Sequence, residues 1–276
     1  MTFSAVVPAG GLAGWAFLKR TMERQQAVQQ AQPQAQRDEA YFREKIGQIS
    51  SAEELVSDRR LLRIALGAYG LDGDINNRFF IRKVLEDGTQ RGDALANRLA
   101  NKAYRDFSAA FGFGTDSAPN TRAGDFADRI LGRYEARQFE IAVGERSESL
   151  RLALNAEREL PELAARQSSV DTKWFTVLGS APLREVFQTA FGLPRSFAGI
   201  DLDQQLGVIK DRSERLLGSS DPAVLSDPVV LDRLLRRFLV LSGDDATLAA
   251  RPGGSAALQI LQAGGRGASG LLGILS

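Results

Sequence analysis

The sequence predicts an all-α fold, on three observations. First, apolar residues recur at helical spacing along most of the chain, as in Leu12, Trp15, Leu18 and Met22. Second, strand signals are missing: no stretch sustains period-2 alternation, and Asp72-Gly73 and Asp87-Gly88 sit beside helical patterns rather than between β-branched runs. Third, three segments end alike, with small–aromatic–Gly–apolar: Ala68-Tyr69-Gly70-Leu71, Ala110-Phe111-Gly112-Phe113 and Ala190-Phe191-Gly192-Leu193. A glycine just past a helix adopts the left-handed conformation without Cβ strain, and the apolar residue after it folds back on the last turn.

The elements follow in order. A helix is expected from Leu12 to Gln30, dissolving into the polar, low-complexity stretch Gln25 to Pro33, which reads as a frayed end and linker. Ser51 with Glu54 three residues on is a capping box opening a second helical region. Asp125 to Leu160 carries no proline. Phe126, Ile130, Tyr134 and Ile141 mark one face, and charges of both signs cover the rest, which suits a long solvated helix or a pair of helices. Gly132 and Gly144 are candidate bends, and Pro161 is the expected boundary, because proline disfavours a helical residue before it.

The first and third endings extend into an apparent repeat, Leu61 to Leu71 aligning with Leu183 to Leu193. Tyr41-Phe42 precedes one copy and Trp174-Phe175 the other, and Asp74 and Asp201 each open a following helix. The expected organisation is therefore two related helical lobes joined by a long helix. Residues 1–36 form an N-terminal helix and Gln-rich linker, 37–166 the first lobe with the connecting helix, 167–263 the second lobe, and 264–276 a Gly-rich apolar tail.

Composition narrows the chemistry. The 276 residues include no histidine and no cysteine. That excludes Ser-His-Asp and Cys-His triads, zinc held by His or Cys, disulfides and iron–sulfur ligation. Any catalysis would run on carboxylates, Lys, Arg, Tyr or a bound cofactor. The net charge of +1 implies no polyelectrolyte partner, so nucleic acid is not expected. No apolar run reaches bilayer-spanning length, and the first positive charge, Lys19, follows the apolar N-terminal stretch, unlike a cleavable signal. A cytoplasmic protein, or one exported by a flagellar-type secretion system, has these features.

Apparent motifs resolve into structural readings. Gly265-Arg266-Gly267-Ala268-Ser269-Gly270 spells G-x-G-x-x-G but lacks the following helix and acidic residue of a dinucleotide site. Asp72-Gly73-Asp74 resembles a calcium loop, yet Lys83 stands where the bidentate Glu belongs, so a helix–helix turn is expected and no metal. No lysine follows a glycine, which removes the P-loop, and no S-x-x-K appears. Glu53-Glu54 and Glu157-Arg158-Glu159 diverge around a helix and read as solvated surface. Arg78-Phe79-Phe80-Ile81-Arg82 interleaves cations and rings, but Phe80, Val84 and Leu85 fit a core face better than a stacking platform.

The sequence also resembles a known family. The residues that carry the likeness begin with Val6-Val7-Pro8, Gly14-Trp15 and Tyr41-Phe42-Arg43-Glu44-Lys45-Ile46, followed by the stretch Ser51 to Leu62 and Phe80 to Leu85. Arg137-Gln138-Phe139-Glu140, Trp174 to Gly179 and Asp201 to Leu206 continue it. The family is an alphaproteobacterial one of unknown function, often encoded among flagellar genes and sometimes labelled flagellar basal-body rod protein. The resemblance implies a flagellar context, with other flagellar or export proteins as the expected partners; from the motifs, no cofactor is expected. The expected function is non-enzymatic, in assembly or as a structural component; the alternatives are a cytoplasmic adaptor holding a partner helix between lobes, or a carboxylate-based enzyme. Apolar residues near both ends are the candidate interaction surface: Trp15, Phe17 and Leu18, and Leu271, Leu272, Ile274 and Leu275.

Overall fold

Burial of apolar helix faces gathers the chain into two hydrophobic cores that share one helix. The computed structural model describes residues 3–115 and 118–243, and among these every regular element is helical. In order, the first eight helices are α1 (Gly11–Gln30), α2 (Pro33–Ile46), α3 (Ala52–Ser57), α4 (Arg59–Tyr69), α5 (Arg78–Asp87), α6 (Leu95–Arg98), α7 (Ala103–Phe111) and α8 (Phe126–Gly144). The first core is built from α2–α5, α7 and the first half of α8. There Phe42, Leu61, Leu66, Phe107, Phe111 and Phe126 pack together, with Ile130 and Leu131 from the first half of α8. The second core combines α1 with the other half of α8 and with α9 (Glu148–Ala164), α10 (Val170–Gly179), α11 (Ala181–Ala190) and α13 (Pro228–Leu241). Ile209 and Leu217 enter it from α12 (Leu202–Leu217).

The stretch expected as a long solvated helix or a pair of helices is a pair. α8 ends at Gly144, and three residues on, Ser147 caps α9 by accepting from the Leu150 N–H. The two helices pack against each other, and the buried residues of α8 divide between the two cores, Phe126 to Leu131 in the first and Phe139 to Val143 in the second. Gly132 passes through α8 without a break. Pro161 is not a boundary: α9 runs on to Ala164. The proline forgoes one helical bond near the helix end, and burial of Leu160, Leu163 and Ala164 in the second core holds that turn in place.

The Gln-rich stretch is also corrected. α1 is helical to Gln30 and α2 begins at Pro33, leaving a two-residue corner and no linker. Glutamine is a sound helix former, and these side chains find partners. Gln25 accepts from the Val6 N–H at 2.8 Å and donates to the Val6 carbonyl at 3.1 Å, while Gln30 donates to Glu135 at 2.7 Å. α1 is docked on the second core through Trp15 and Leu18.

Local signals at helix ends hold. Ser51 accepts from the Glu54 N–H, and the Glu54 carboxylate answers at the Ser50 N–H rather than at Ser51 itself. Asp201 accepts from the N–H groups of Asp203 and Gln204. Gly70, Gly112 and Gly192 have φ of 69°, 70° and 64°. At Gly70 and Gly192 the paired bonds of a Schellman ending form: Leu71 N–H to Leu66 O with Gly70 N–H to Gly67 O, and Leu193 N–H to Gln188 O with Gly192 N–H to Thr189 O. Gly112 makes the simpler single bond, to Ser108 O.

The two aligned segments lie in a similar order of elements. A helix, a one-residue cap, a second buried helix, a left-handed glycine, a short 3-10 turn and a further helix occur as α3, Asp58, α4, Gly70, Asp72–Asp74, α5, and again as α10, Ser180, α11, Gly192, Arg195–Gly199, α12. The upstream aromatics do not correspond: Phe42 lies on α2, two helices before α4, whereas Trp174 lies on α10, next to α11.

Asp38 ties α2 to α4. Its carboxylate is buried and accepts from Arg60 and Arg63, each at 2.8 Å, and from Gln34 at 3.1 Å. Burial alone would raise its pKa; the bonds from Arg63, Gln34 and Arg60 together outweigh it and hold the carboxyl below its ordinary value of 3.8. A depressed acid pKa stabilises the fold above the unfolded value, and that contribution disappears as pH falls through the folded value. Asp38→Asn is therefore expected to cost about 1–3 kcal/mol at neutral pH. Its deficit in thermal melts should close as the buffer is taken below pH 3.8.

The glycine endings differ in what a Cβ would meet. At Gly192 there is open space, so Gly192→Ala should cost only the left-handed strain, about 1 kcal/mol. At Gly70 a Cβ would collide with the Arg137 guanidinium, and Gly70→Ala should be the more damaging of the two in denaturant titrations.

Candidate functional site: a charged cleft between the cores

A cleft of about 410 Å³ opens where the two cores meet. The α8–α9 hairpin forms one wall, with Arg133 and Arg137 from α8, Asn155, Arg158, Glu159 and Glu162 from α9, and Arg166 just past the end of α9. The opposite side comes from the end of α4 (Tyr69, Gly70), the start of α7 (Lys102, Asp106) and the α10–α11 corner (Thr176, Gly179, Ser180). Gly70 belongs here for a second reason besides its φ: the absence of a Cβ lets the Arg137 side chain lie against the end of α4.

The charges interlock. Arg158 donates to Glu140 at 2.6 and 3.2 Å and to Glu159 at 3.2 Å. Arg137 reaches Glu159 at 3.2 Å, Arg133 reaches Glu162 at 2.8 Å, and Arg166 crosses to Asp106 on α7 at 2.8 Å. Burial works against the charge on Arg158, and the bonds to Glu140 and Glu159 more than offset it, so its pKa is raised. The Arg133 guanidinium also lies 5.6 Å from the centre of the Tyr69 ring, whose hydroxyl is pushed above its ordinary pKa by burial. Lys102 donates to the carbonyls of Asn97 and Leu99. Asn155 donates from Nδ2 to Glu159 at 3.0 Å, while its Oδ1, enclosed in a residue only 2% exposed, has no partner among the described residues.

Of the residues expected to present a partner surface, Trp15 and Leu18 are buried in the second core and present none. The spacing that marked them as a face marks the face α1 docks with. Phe17 is half-buried, with Arg20 5.8 Å from its ring. Leu271, Leu272, Ile274 and Leu275 lie outside the described residues, as does the glycine run 265–270. Glu157-Arg158-Glu159 is corrected from solvated surface: Glu157 pairs with Lys19 at the exterior, but Arg158 turns inward. No local pattern signals this, because Glu140 sits on the other arm of the hairpin. Asp74 serves as the acceptor for Tyr104 at 2.5 Å and for Asn77 at 2.7 Å, and the first bond together with burial, the larger cause, raises the Tyr104 pKa to about 12. The Arg78–Arg82 stretch divides: Ile81, Val84 and Leu85 are core, Phe80 packs edge-on against Tyr104, and Phe79 is 74% exposed. That exposure was legible, since adjacent helical residues point about 100° apart and the face of Ile81, Val84 and Leu85 leaves Phe79 outside.

Residues 68–230, more than half of the chain, match a family of proteins of unknown function, DUF1217. The chain belongs to the DUF1217 family. This DUF1217 protein is similar to a protein of Agrobacterium tumefaciens whose X-ray structure came from a structural genomics consortium. The two are 25% identical with a TM-score of 0.69, the likeness covering 86% of this chain and 97% of that one. No curated protein matches the chain. The matched span of this family member covers α5–α12 entire, and with them both walls of the charged cleft. Among the described residues no helix is long and apolar enough to cross a membrane.

The Glu140–Arg158 pair should be costly to halve and cheap to remove. Glu140→Ala leaves a buried guanidinium short of its main partner, and is expected to destabilise by about 3 kcal/mol. Glu140→Leu combined with Arg158→Met should recover most of that loss in chemical denaturation.

Proposed function

We propose that this protein is a non-enzymatic, flagellar-associated component that acts in assembly or structure through protein–protein contacts. The flagellar context comes from the family resemblance. The observation that carries the contact role is Phe79, a large aromatic standing in solvent on α5 with the Arg82 guanidinium 5.5 Å from its ring. Val56 and Arg78 border the same shallow depression. An aromatic beside arginine is the composition of an interface hot spot. The half-buried Phe17 and the tail residues Leu271, Leu272, Ile274 and Leu275 are secondary candidates on this reading. The carboxylates lining the cleft support a non-catalytic reading, because Asp106, Glu159 and Glu162 are each engaged by arginine. An adaptor groove for a partner helix finds little support between the cores. A helix with side chains is about 10–12 Å across and seeks an apolar channel, whereas this cleft is small and lined with charge.

The test is a swimming assay in cells carrying Phe79→Asp, paired with pull-down from the same cells and a melt of the purified variant. The expected result is reduced motility and loss of a flagellar partner with an unchanged melting temperature. Normal swimming in a strain lacking the protein altogether would refute the flagellar role. Normal partner capture by Phe79→Asp and by a chain shortened after residue 263 would refute these contact residues.

A further inference from the structure

The cleft has features that ion pairing between the cores does not explain. Five cations line it (Lys102, Arg133, Arg137, Arg158 and Arg166) against three carboxylates, Asp106, Glu159 and Glu162. Glu140, behind the wall, neutralises part of Arg158, and a positive excess remains. α11 begins at the same place, and its N-cap, Ser180, makes no side-chain capping bond. Its first turn, in which Pro182 has no N–H to give, presents the positive end of a helix of ten residues to the cleft.

The second, independent observation is Asn155. A side chain this deeply buried normally has its polar atoms bonded. Its orientation is set by Glu159, which can only accept, so Nδ2 faces the carboxylate and Oδ1 is the atom left over. An acceptor with no partner among the described residues calls for a donor, and the surrounding cations call for an anion. Few small groups meet both demands. Sulfate and simple carboxylates at neutral pH have charge but no donor; hydrogen phosphate has both, and so does a phosphate ester with a neighbouring hydroxyl.

We propose that the inter-core cleft is a binding site for a small phosphate compound bearing an O–H group, with Arg133 and Arg166 and the start of α11 facing the phosphate and Asn155 Oδ1 accepting from the hydroxyl. The cleft is larger than a phosphate ion and leaves room for a small organic body. Reaching Oδ1 requires the lining side chains to shift, which long arginines do by changing rotamer. The site stands apart from Phe79, so it is independent of the contact role proposed above.

Calorimetric titration of the full chain at fixed ionic strength tests it, with inorganic phosphate and glycerol 3-phosphate as the two sources of the chemistry and sulfate as the donor-free oxyanion. The expected result is one saturable site for at least one phosphate compound, with sulfate bound about tenfold more weakly, the cost of leaving one acceptor unmet. The tighter of the two phosphates identifies the free ion or the ester. Arg133→Gln should weaken binding severalfold with the fold intact, since that side chain is at the cleft's open edge. Asn155→Leu, checked for folding by its melt, should erase the preference over sulfate. The proposal is overturned if neither phosphate binds saturably, if sulfate binds as tightly, or if Arg133→Gln leaves the affinity unchanged.

Discussion

The structure depends on one constraint: α8 is buried at both ends, in different cores. Phe126, Ile130 and Leu131 commit its first half to the core built from α2–α5 and α7, and Phe139 and Val143 commit its second half to the core built from α1, α9–α11 and α13. A helix is a stiff rod with a fixed rise per residue. Sharing it sets the separation and relative rotation of everything packed at either end. The hairpin to α9 then doubles the connection, because α9 is nearly all in the second core yet its end reaches α7 through Arg166 and Asp106.

The middle of α8, between its two apolar ends, is where the charges collect. Arg133 and Arg137 lie there, facing Glu159 and Glu162 across the hairpin, with the Glu140–Arg158 pair enclosed below. This follows from the packing: the stretch between two cores is the part of a shared helix that neither core covers. Buried pairs of this kind add little net stability over a well-packed apolar alternative, but they disfavour any register in which a charge would be left unpaired. The same arrangement makes a cleft at the junction, polar by construction and lined by elements from both cores. The exposed surface around Phe79 has a different origin, on the outer face of a helix whose inner face is already satisfied.

Membership in DUF1217 and a TM-score of 0.69 to the Agrobacterium protein show that the fold is shared with a relative. Similar order of elements around α4 and α11 suggests that each core is organised about one buried helix ended by a left-handed glycine. In both cases the apolar residue after the glycine, Leu71 or Leu193, closes onto the core that its helix fills.

What was legible in the sequence is what short-range physics decides. The all-helical class, the caps at Ser51 and Asp201, and the three glycine endings each follow from bonds spanning a few residues, which composition and spacing express directly. The exposed position of Phe79 was available from the same rules. What only the tertiary structure decided involves partners far apart in the chain. Trp15 and Leu18 show an apolar face in sequence, but whether that face meets a partner or the chain's own second core depends on where α1 docks. Gln25 and Gln30 read as linker because their acceptors, near Val6 and on α8, are invisible locally. Pro161 reads as a stop because the core that holds its turn is assembled from other helices. The cleft, and the unmet acceptor of Asn155 within it, exist only once α4, α7, α8, α9 and the α10–α11 corner converge. Local bonding is written in adjacent residues; the pairing of distant charges and the choice of which face is buried are set by the packing of the whole.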